Sequence, residues 1–398
     1  MKRTIKDIQK ETLKGKRVFV RADLNVPLEQ GRITDDTRIR EALPTIAYLI
    51  EHGAKVVLAS HLGRPKGQVV DDFRLTPIQK RLSELLNKPV LKVDDCIGEA
   101  VSSHIQEMND GDVVLLENIR FHPEEESNDE SFAKGLAAFS DIYVLDAFGT
   151  AHRAHASTCG LAKELPAYAG LLVEKEVAFL AQIVENPKKP FVAIIGGAKV
   201  STKIGVLKYL LGLVDTLVIG GGMVFTFLKA RGLEIGTSLV EDDKLEEARL
   251  FLELAETSST RVVFPQDQVV ASAFDNEART KIVGIDHLPS DMMGLDIGPK
   301  TIQELQEIIS HAQMVLWNGP LGVFEMSQFA KGTFAVAEML ATSSATTIIG
   351  GGDSVSAVRQ SGVSDQVSHV STGGGATLEF LEGKELPGLE VLKNKEDV

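Results

Sequence analysis

The chain has 398 residues, 43% of them apolar and 25% charged, with a formal net charge of −14. That length is too great for one ordinary core, so two domains are expected. The acidic balance excludes nucleic acid as the main partner, since backbone binding needs a basic field, and no apolar stretch approaches the length that spans a membrane.

Residues 1–16 lack the apolar core of a signal peptide, and Cys96 and Cys159 have no metal or redox spacing. The expectation is a cytoplasmic protein with two reduced thiols. In chain order, the first half reads as strands at 17–26, 54–60, 112–119 and 141–148, with helices between them such as 37–53 and 76–87. These strands end in polar clusters. In RADLNVP (21–27), Arg21, Asp23 and Asn25 follow a buried run, where such groups need partners. They form either a hydrogen-bonding floor for a small polar ligand or a salt-bridged strand exit.

Arg38 opens the next helix, where an anion meets both a guanidinium and free helix N–H groups. The alternative is a surface pair with Asp35 or Asp36. His61 and Arg64 bracket a glycine turn in SHLGRP (60–65), Arg120 lies in ENIRFH (117–122), and Arg153 lies in DAFGTAHRAHAS (146–157). His152 and His155 are three apart but have no HExxH around them, so zinc is not expected. The run Glu124 to Glu126 reads as a solvated loop. The shared placement of Arg21, Arg38, Arg64, Arg120 and Arg153 suits bidentate contact to phosphate or carboxylate.

Residues 171–186 place Val173, Val177, Leu180 and Val184 on one helical face and stop at Asn186-Pro187. This reads as a connecting hinge helix between a first domain, 1–170, and a second, 187–383. The tail from about 384 to 398 is either frayed or packed back on the first domain.

In the second half, strands are expected at 191–197, 215–222, 261–265, 314–320 and 346–352. Every adjacent Gly-Gly pair lies in this half, beside or just after an apolar run, where backbone N–H groups are free to face an anion. GGAKVSTK (196–203) sets Lys199 and Lys203 four apart, on one helix face near its start, and two such ammoniums want an anion. This is not a P-loop, because GxxxxGK[ST] is absent. GGGDS (350–354) offers the N–H groups of Gly350, Gly351 and Gly352 to phosphates and Asp353 to a Mg²⁺ on a nucleotide. WNGPLGVFE (317–325) supplies Asn318 and Glu325 as partners for a metal-bound phosphate and a ribose hydroxyl. STGGGATLEF (371–380), with Gly374, is a further loop-to-helix entry. Near-continuous apolar strands separated by helices indicate an α/β chain with parallel sheets covered on both faces, which bind ligands at the carboxyl ends of their strands.

Nine blocks in order resemble the phosphoglycerate kinase family: RADLNVP, SHLGRP, ENIRFH, DAFGTAHRAHAS, GGAKVSTKI, MGLDIGP, NGPLGVFE, GGGDS and STGGGATLE. The resemblance covers nearly the whole chain and implies an α/β fold of two doubly wound parallel-sheet (Rossmann-like) domains joined by a hinge helix, with the C-terminal tail returning to the first. It implies that Asp23, Asn25, Arg38, His61, Arg64, Arg120 and Arg153 bind 3-phosphoglycerate or its acyl phosphate, 1,3-bisphosphoglycerate. Lys203, Gly294 of MGLDIGP, Glu325 and the run Gly351, Gly352, Asp353, Ser354 are then expected to hold Mg-ADP or Mg-ATP. Leu321 stands where the family more often has Met, away from the contacts so assigned.

The implied chemistry is reversible phosphoryl transfer by a monomer, with both attacking groups ionised near neutral pH and no general base needed. Arg38, Lys203 and N–H groups around Gly351 and Gly374 are the expected catalytic groups. The rival readings are a kinase for another carboxylate, a nucleotide sensor without turnover, and a nicotinamide-dependent oxidoreductase. The last lacks GxGxxG followed by an acidic residue.

Overall fold

The computed structural model describes residues 2–396. The chain divides into two compact units. One holds the residues up to Ala178 together with those from Glu385 on, and the other runs from Phe179 to Lys384. The division falls inside a continuous helix, Leu171–Glu185. Leu172, Val173, Glu176, Leu180 and Ile183 are its buried positions, whereas Val177 and Val184 are only partly covered.

Unit one contains β1 (Arg17–Ala22), β2 (Leu28–Glu29), β3 (Arg32–Ile33), β4 (Lys55–Ala59), β5 (Val90–Lys92), β6 (Val113–Leu115), β7 (Ile142–Asp146) and β8 (Ala167–Ala169). Six of these form one parallel sheet in the order β5-β6-β4-β1-β7-β8, and β2 and β3 pair as a small antiparallel ribbon. All five residues of β7 are buried, as are the last five of β1, because helices cover both faces of a parallel sheet. The C-terminal segment belongs to this unit. Gly388 N donates to Ala151 O at 2.8 Å, Arg3 N donates to Lys393 O at 2.9 Å, and Leu389 and Leu392 are buried.

β1 is shorter than the run expected at 17–26. Beyond Ala22 the backbone turns to side chains instead of a neighbouring strand: Leu24 N donates to Ser60 Oγ at 2.9 Å and Asn25 N to Asp23 Oδ1 at 3.2 Å. The run expected at 112–119 likewise ends at Leu115 and closes in a 3₁₀ turn, Ile119–Phe121, with Asn118 Oδ1 accepting from Arg120 N.

Unit two contains β9 (Phe191–Ile195), β10 (Thr216–Ile219), β11 (Arg261–Val263), β12 (Asp267–Ala271), β13 (Thr280–Gly284), β14 (Met293–Ile297), β15 (Met314–Asn318), β16 (Thr346–Gly350) and β17 (His369–Val370). Its main sheet is parallel, in the order β11-β10-β9-β15-β16-β17. The chain winds one way from β9 and the other way from β15, so the topological switch point lies between these strands and leaves a crevice at their carboxyl ends. A three-stranded antiparallel sheet, β13-β12-β14, was not anticipated. The rim of the crevice is fixed by Trp317, which is fully buried and donates from Nε1 to Gly319 O at 2.8 Å.

Candidate active site

In unit one the carboxyl ends of β1, β4 and β7 bring cations together. Arg21 is fully buried; its Nε donates to Ser157 Oγ at 2.7 Å, one terminal nitrogen donates to Ala22 O, and the other lies 3.2 Å from His61 Nδ1. Arg38, in the first turn of the helix Thr37–Glu51, donates to the buried carboxylate of Asp23 at 2.5 Å. Asp36 instead pairs with Arg40 and Arg81. Asn25 Oδ1 accepts from Gly63 N at 2.9 Å, and Arg120 donates to Gly63 O at 3.0 Å. Gly63 has φ +62°, and a Cβ there would lie 2.4 Å from the Phe73 ring, so the turn admits only glycine.

The electrostatics are those of crowded cations. Burial lowers Arg120 to about 10, helped by the charges of Arg21 and Arg153. Burial also holds His61 well below its ordinary value despite the opposing charge of Asp23, and it lowers His155 to about 4. Both rings are therefore neutral at pH 7, while Arg120 stays charged. Arg153 Nε contacts His152 Nε2 at 3.2 Å. Arg64 is exposed and makes no hydrogen bond or ion pair among the described residues. The structure thus gathers Arg21, Asp23, Asn25, Arg38, His61, Arg120 and Arg153, and it leaves Arg64 on the rim.

The acidic run Glu124 to Glu126 is not a solvated loop. Its residues close a helical turn, Pro123–Glu126, in which Glu125 is fully buried and accepts from Ser157 N at 2.9 Å and Ser157 Oγ at 2.6 Å. Glu126 lies 3.3 Å from Arg120 Nε. Three adjacent glutamates are compatible with one buried position because a helical turn points them in different directions.

In unit two the glycines let strand ends meet. Gly196 N donates to Asn318 O at 2.9 Å and Gly197 N to Pro320 O at 3.1 Å. A Cβ on Gly196 would lie 2.1 Å from Pro320 O. A cavity of about 380 Å³ opens there, lined by Lys199, Lys203, Asn318, Gly351, Gly352, Asp353, Ser354 and Gly374 among others. Gly351, at φ +87°, precedes the helix Gly352–Gln360, whose first turn carries Asp353 and whose free N–H groups face outward. Ser354 Oγ accepts from Gly319 N at 2.5 Å and ties that helix to β15. Gly350 ends β16, close enough to Asn318 that a Cβ on it would lie 3.1 Å from Nδ2.

Lys203 donates to Asn318 Oδ1, and burial lowers its ammonium to about 8, against the opposing charges of Asp353 and Glu382. The expected helix face carrying Lys199 and Lys203 does not exist. Lys199 is extended and exposed, Val200–Thr202 is a 3₁₀ turn, and the helix begins at Ile204. The two lysines reach the same cavity from different backbone geometries.

A second cavity of about 770 Å³ adjoins the first and shares Gly197, Ala198, Pro320 and Asp353 with it. Its walls are mostly apolar, including Phe225, Leu239, Phe274, Met293, Leu295 and Val323, with Gly294 and the exposed Glu325 at its edge. Leu321 also lines it, so this residue is not remote from the site as the sequence suggested. Sequence reasoning missed Phe225, Leu239 and Phe274, whose apolar character carries no local signal of a cavity wall.

The phosphoglycerate kinase family profile matches residues 5–384. The chain is 57% identical over 395 residues to a phosphoglycerate kinase of Dictyoglomus turgidum, spanning 99% of this chain and 100% of that one. Its fold is similar to that of phosphoglycerate kinase from Coxiella burnetii, with TM-score 0.87, 43% identity and 98% of each chain covered. The enzyme from Pyrococcus horikoshii is similar too, with TM-score 0.86, 32% identity and 99% of each chain covered. The chain belongs to the phosphoglycerate kinase family, phosphotransferases that use a carboxyl group as acceptor.

Proposed function

We propose that the cation cluster of unit one holds 3-phosphoglycerate or 1,3-bisphosphoglycerate, and that the paired cavities of unit two hold ADP or ATP. The reaction is the reversible transfer of a phosphoryl group from the acyl phosphate to ADP. The observation that carries this reading is the change of lining side chains across unit two, where a cavity walled by Phe225, Leu239 and Phe274 adjoins one that carries Lys203, Asn318 and Asp353 at a glycine-framed helix start. A ligand with a flat apolar end and an anionic end matches that change.

The residues then divide the work. Both attacking groups, a carboxylate one way and a phosphate the other, are ionised at pH 7, so positioning and charge stabilisation suffice. Arg38 neutralises the carboxyl-phosphate oxygens. Lys203 follows the transferring group, and N–H groups at Gly350 to Gly352 and Gly373 to Gly375 stabilise its equatorial oxygens. Gly294 and Glu325 face the nucleoside end. Asp353 borders both cavities with a hard oxygen ligand, which suits a magnesium ion carried on the nucleotide phosphates. When bound, that ion would neutralise phosphate charge.

One substrate on each unit means that transfer requires closure, with residues 171–186 as the hinge. The protein is taken to work as a cytoplasmic monomer. The test is a coupled assay for ATP formation from 1,3-bisphosphoglycerate and ADP, with magnesium and then with chelator. The reverse reaction is offered 3-phosphoglycerate, acetate or aspartate. Turnover should need magnesium and 3-phosphoglycerate; equal rates with acetate or aspartate would refute the substrate assignment.

A further inference from the structure

Beneath the cation cluster lies a chain of hydrogen bonds whose directions follow from the donor inventory alone. Ser157 Oγ carries one hydrogen and lies 2.6 Å from Glu125 Oε1 and 2.7 Å from Arg21 Nε. A guanidinium has only donors, so Ser157 accepts from Arg21 and gives its own hydrogen to Glu125. The same rule governs the next link. Arg21 Nη2 lies 3.2 Å from His61 Nδ1, so Nδ1 must be the acceptor. A neutral imidazole that accepts at Nδ1 carries its hydrogen on Nε2. Glu125, Ser157 and Arg21 are fully buried and His61 nearly so, which protects the chain from competing water.

We propose that Glu125 is a positioning residue that, through Ser157 and Arg21, fixes His61 as its Nε2–H tautomer, a neutral donor among guanidiniums. The groups around His61 favour that neutral state on balance. Burial and the charges of Arg21, Arg120 and Arg38 disfavour the imidazolium, and Asp23 alone opposes them. A neutral donor binds a substrate hydroxyl or carboxylate oxygen without adding to the repulsion among four arginines. This role rests on the assignment of phosphoglycerate to unit one.

The experiment is a long-range ¹H–¹⁵N correlation spectrum of the histidine rings in the full-length protein at pH 7, with His61 assigned by its loss in His61→Asn. The wild-type ring should show the Nε2–H pattern; an Nδ1–H or imidazolium pattern would overturn the relay without any change at Glu125. Glu125→Ala should mix the tautomers and raise KM for 3-phosphoglycerate about tenfold, as expected for a lost hydrogen bond to a charged ligand, with KM for ADP unchanged. Glu125→Gln retains an acceptor oxygen and should restore most of both signals. A folded Glu125→Ala with an unaltered His61 spectrum would sink the proposal. Titration with 3-phosphoglycerate should shift the Nε2–H resonance and Mg-ADP should not. A shift with the nucleotide alone would overturn the assignment of unit one while leaving the relay intact.

Discussion

The Lys203 ammonium donates to the side-chain carbonyl of Asn318, at the carboxyl end of β15 and beside the switch point of the second sheet. This contact sets the place of the ammonium, and burial lowers it to about 8. The free enzyme should therefore lose kcat/KM for ADP as pH rises through about 8, because only the protonated amine can follow a phosphoryl group. Lys203→Arg should remove that alkaline limb while lowering kcat, since a guanidinium stays charged but does not reproduce a compact ammonium. A pH–rate profile of wild type and variant checks this; an alkaline limb that survives in Lys203→Arg belongs to another group.

Arg38 supports a different test. Its guanidinium is one-third exposed and anchored on one side by buried Asp23, which leaves its remaining donors free for a ligand. Arg38→Ala should lower kcat by on the order of 10² or more, the usual cost of a donor aimed at developing charge. Steady-state kinetics that show raised KM and unchanged kcat would remove Arg38 from the transition state.

Arg64 has no partner to lose among the described residues. Arg64→Ala should leave Tm within about a degree or two of wild type, as for an exposed substitution, and weaken 3-phosphoglycerate binding. Calorimetry with each substrate separates the outcomes. Lost affinity for the nucleotide instead would contradict the division of substrates between the units.

The parallel strands were legible because a strand buried on both faces is apolar without interruption, as in Phe191–Ile195 and Ile142–Asp146. The polar residues that end them stood out for the same reason. The sheet β13-β12-β14 was not legible, since four of the five residues of β13 are exposed and follow no alternating pattern. Glu125 was hidden by its neighbours, because one-dimensional charge reading does not say which face of a helical turn is inward. Partnership was equally invisible: Arg38 finds Asp23, fifteen residues away, and not the adjacent Asp35 or Asp36.

Gly294 tests the apolar cavity. A Cβ there would lie 2.2 Å from Cζ of Phe225, so the ring must move into the space that both residues line. Overpacking of this kind costs about 1–3 kcal/mol. Gly294→Ala should raise KM for ADP about tenfold and leave KM for 3-phosphoglycerate unchanged. Equal changes in both constants would show that the substitution acts on the fold and not on a nucleotide cavity.

Asp146, at the end of β7, tests how the helix Leu171–Glu185 is started. Its Oδ1 accepts from Leu172 N at 2.9 Å and Val173 N at 3.3 Å, and Oδ2 is buried. Burial raises the carboxyl from 3.8 to about 7, although the Thr45 hydroxyl and the two N–H donors oppose the rise. The folded chain thus holds this proton where the unfolded chain has released it. Its stabilising contribution is full below about pH 3.8 and is lost as pH climbs to about 7, at on the order of 1.4 kcal/mol per unit. Asp296, also raised to about 7, behaves alike, so a single substitution is needed to isolate one group. Asp146→Asn keeps the oxygen that accepts from the helix and replaces the other oxygen with an uncharged amide. Thermal unfolding should show the variant closest to wild type at or below about pH 3.8, already ahead of it at pH 5, and further ahead by about pH 7, with little further gain to pH 8. A difference in Tm that stays constant across that range would mean that Asp146 is not protonated in the folded chain at pH 5, and that the helix start is held by a charged carboxylate throughout.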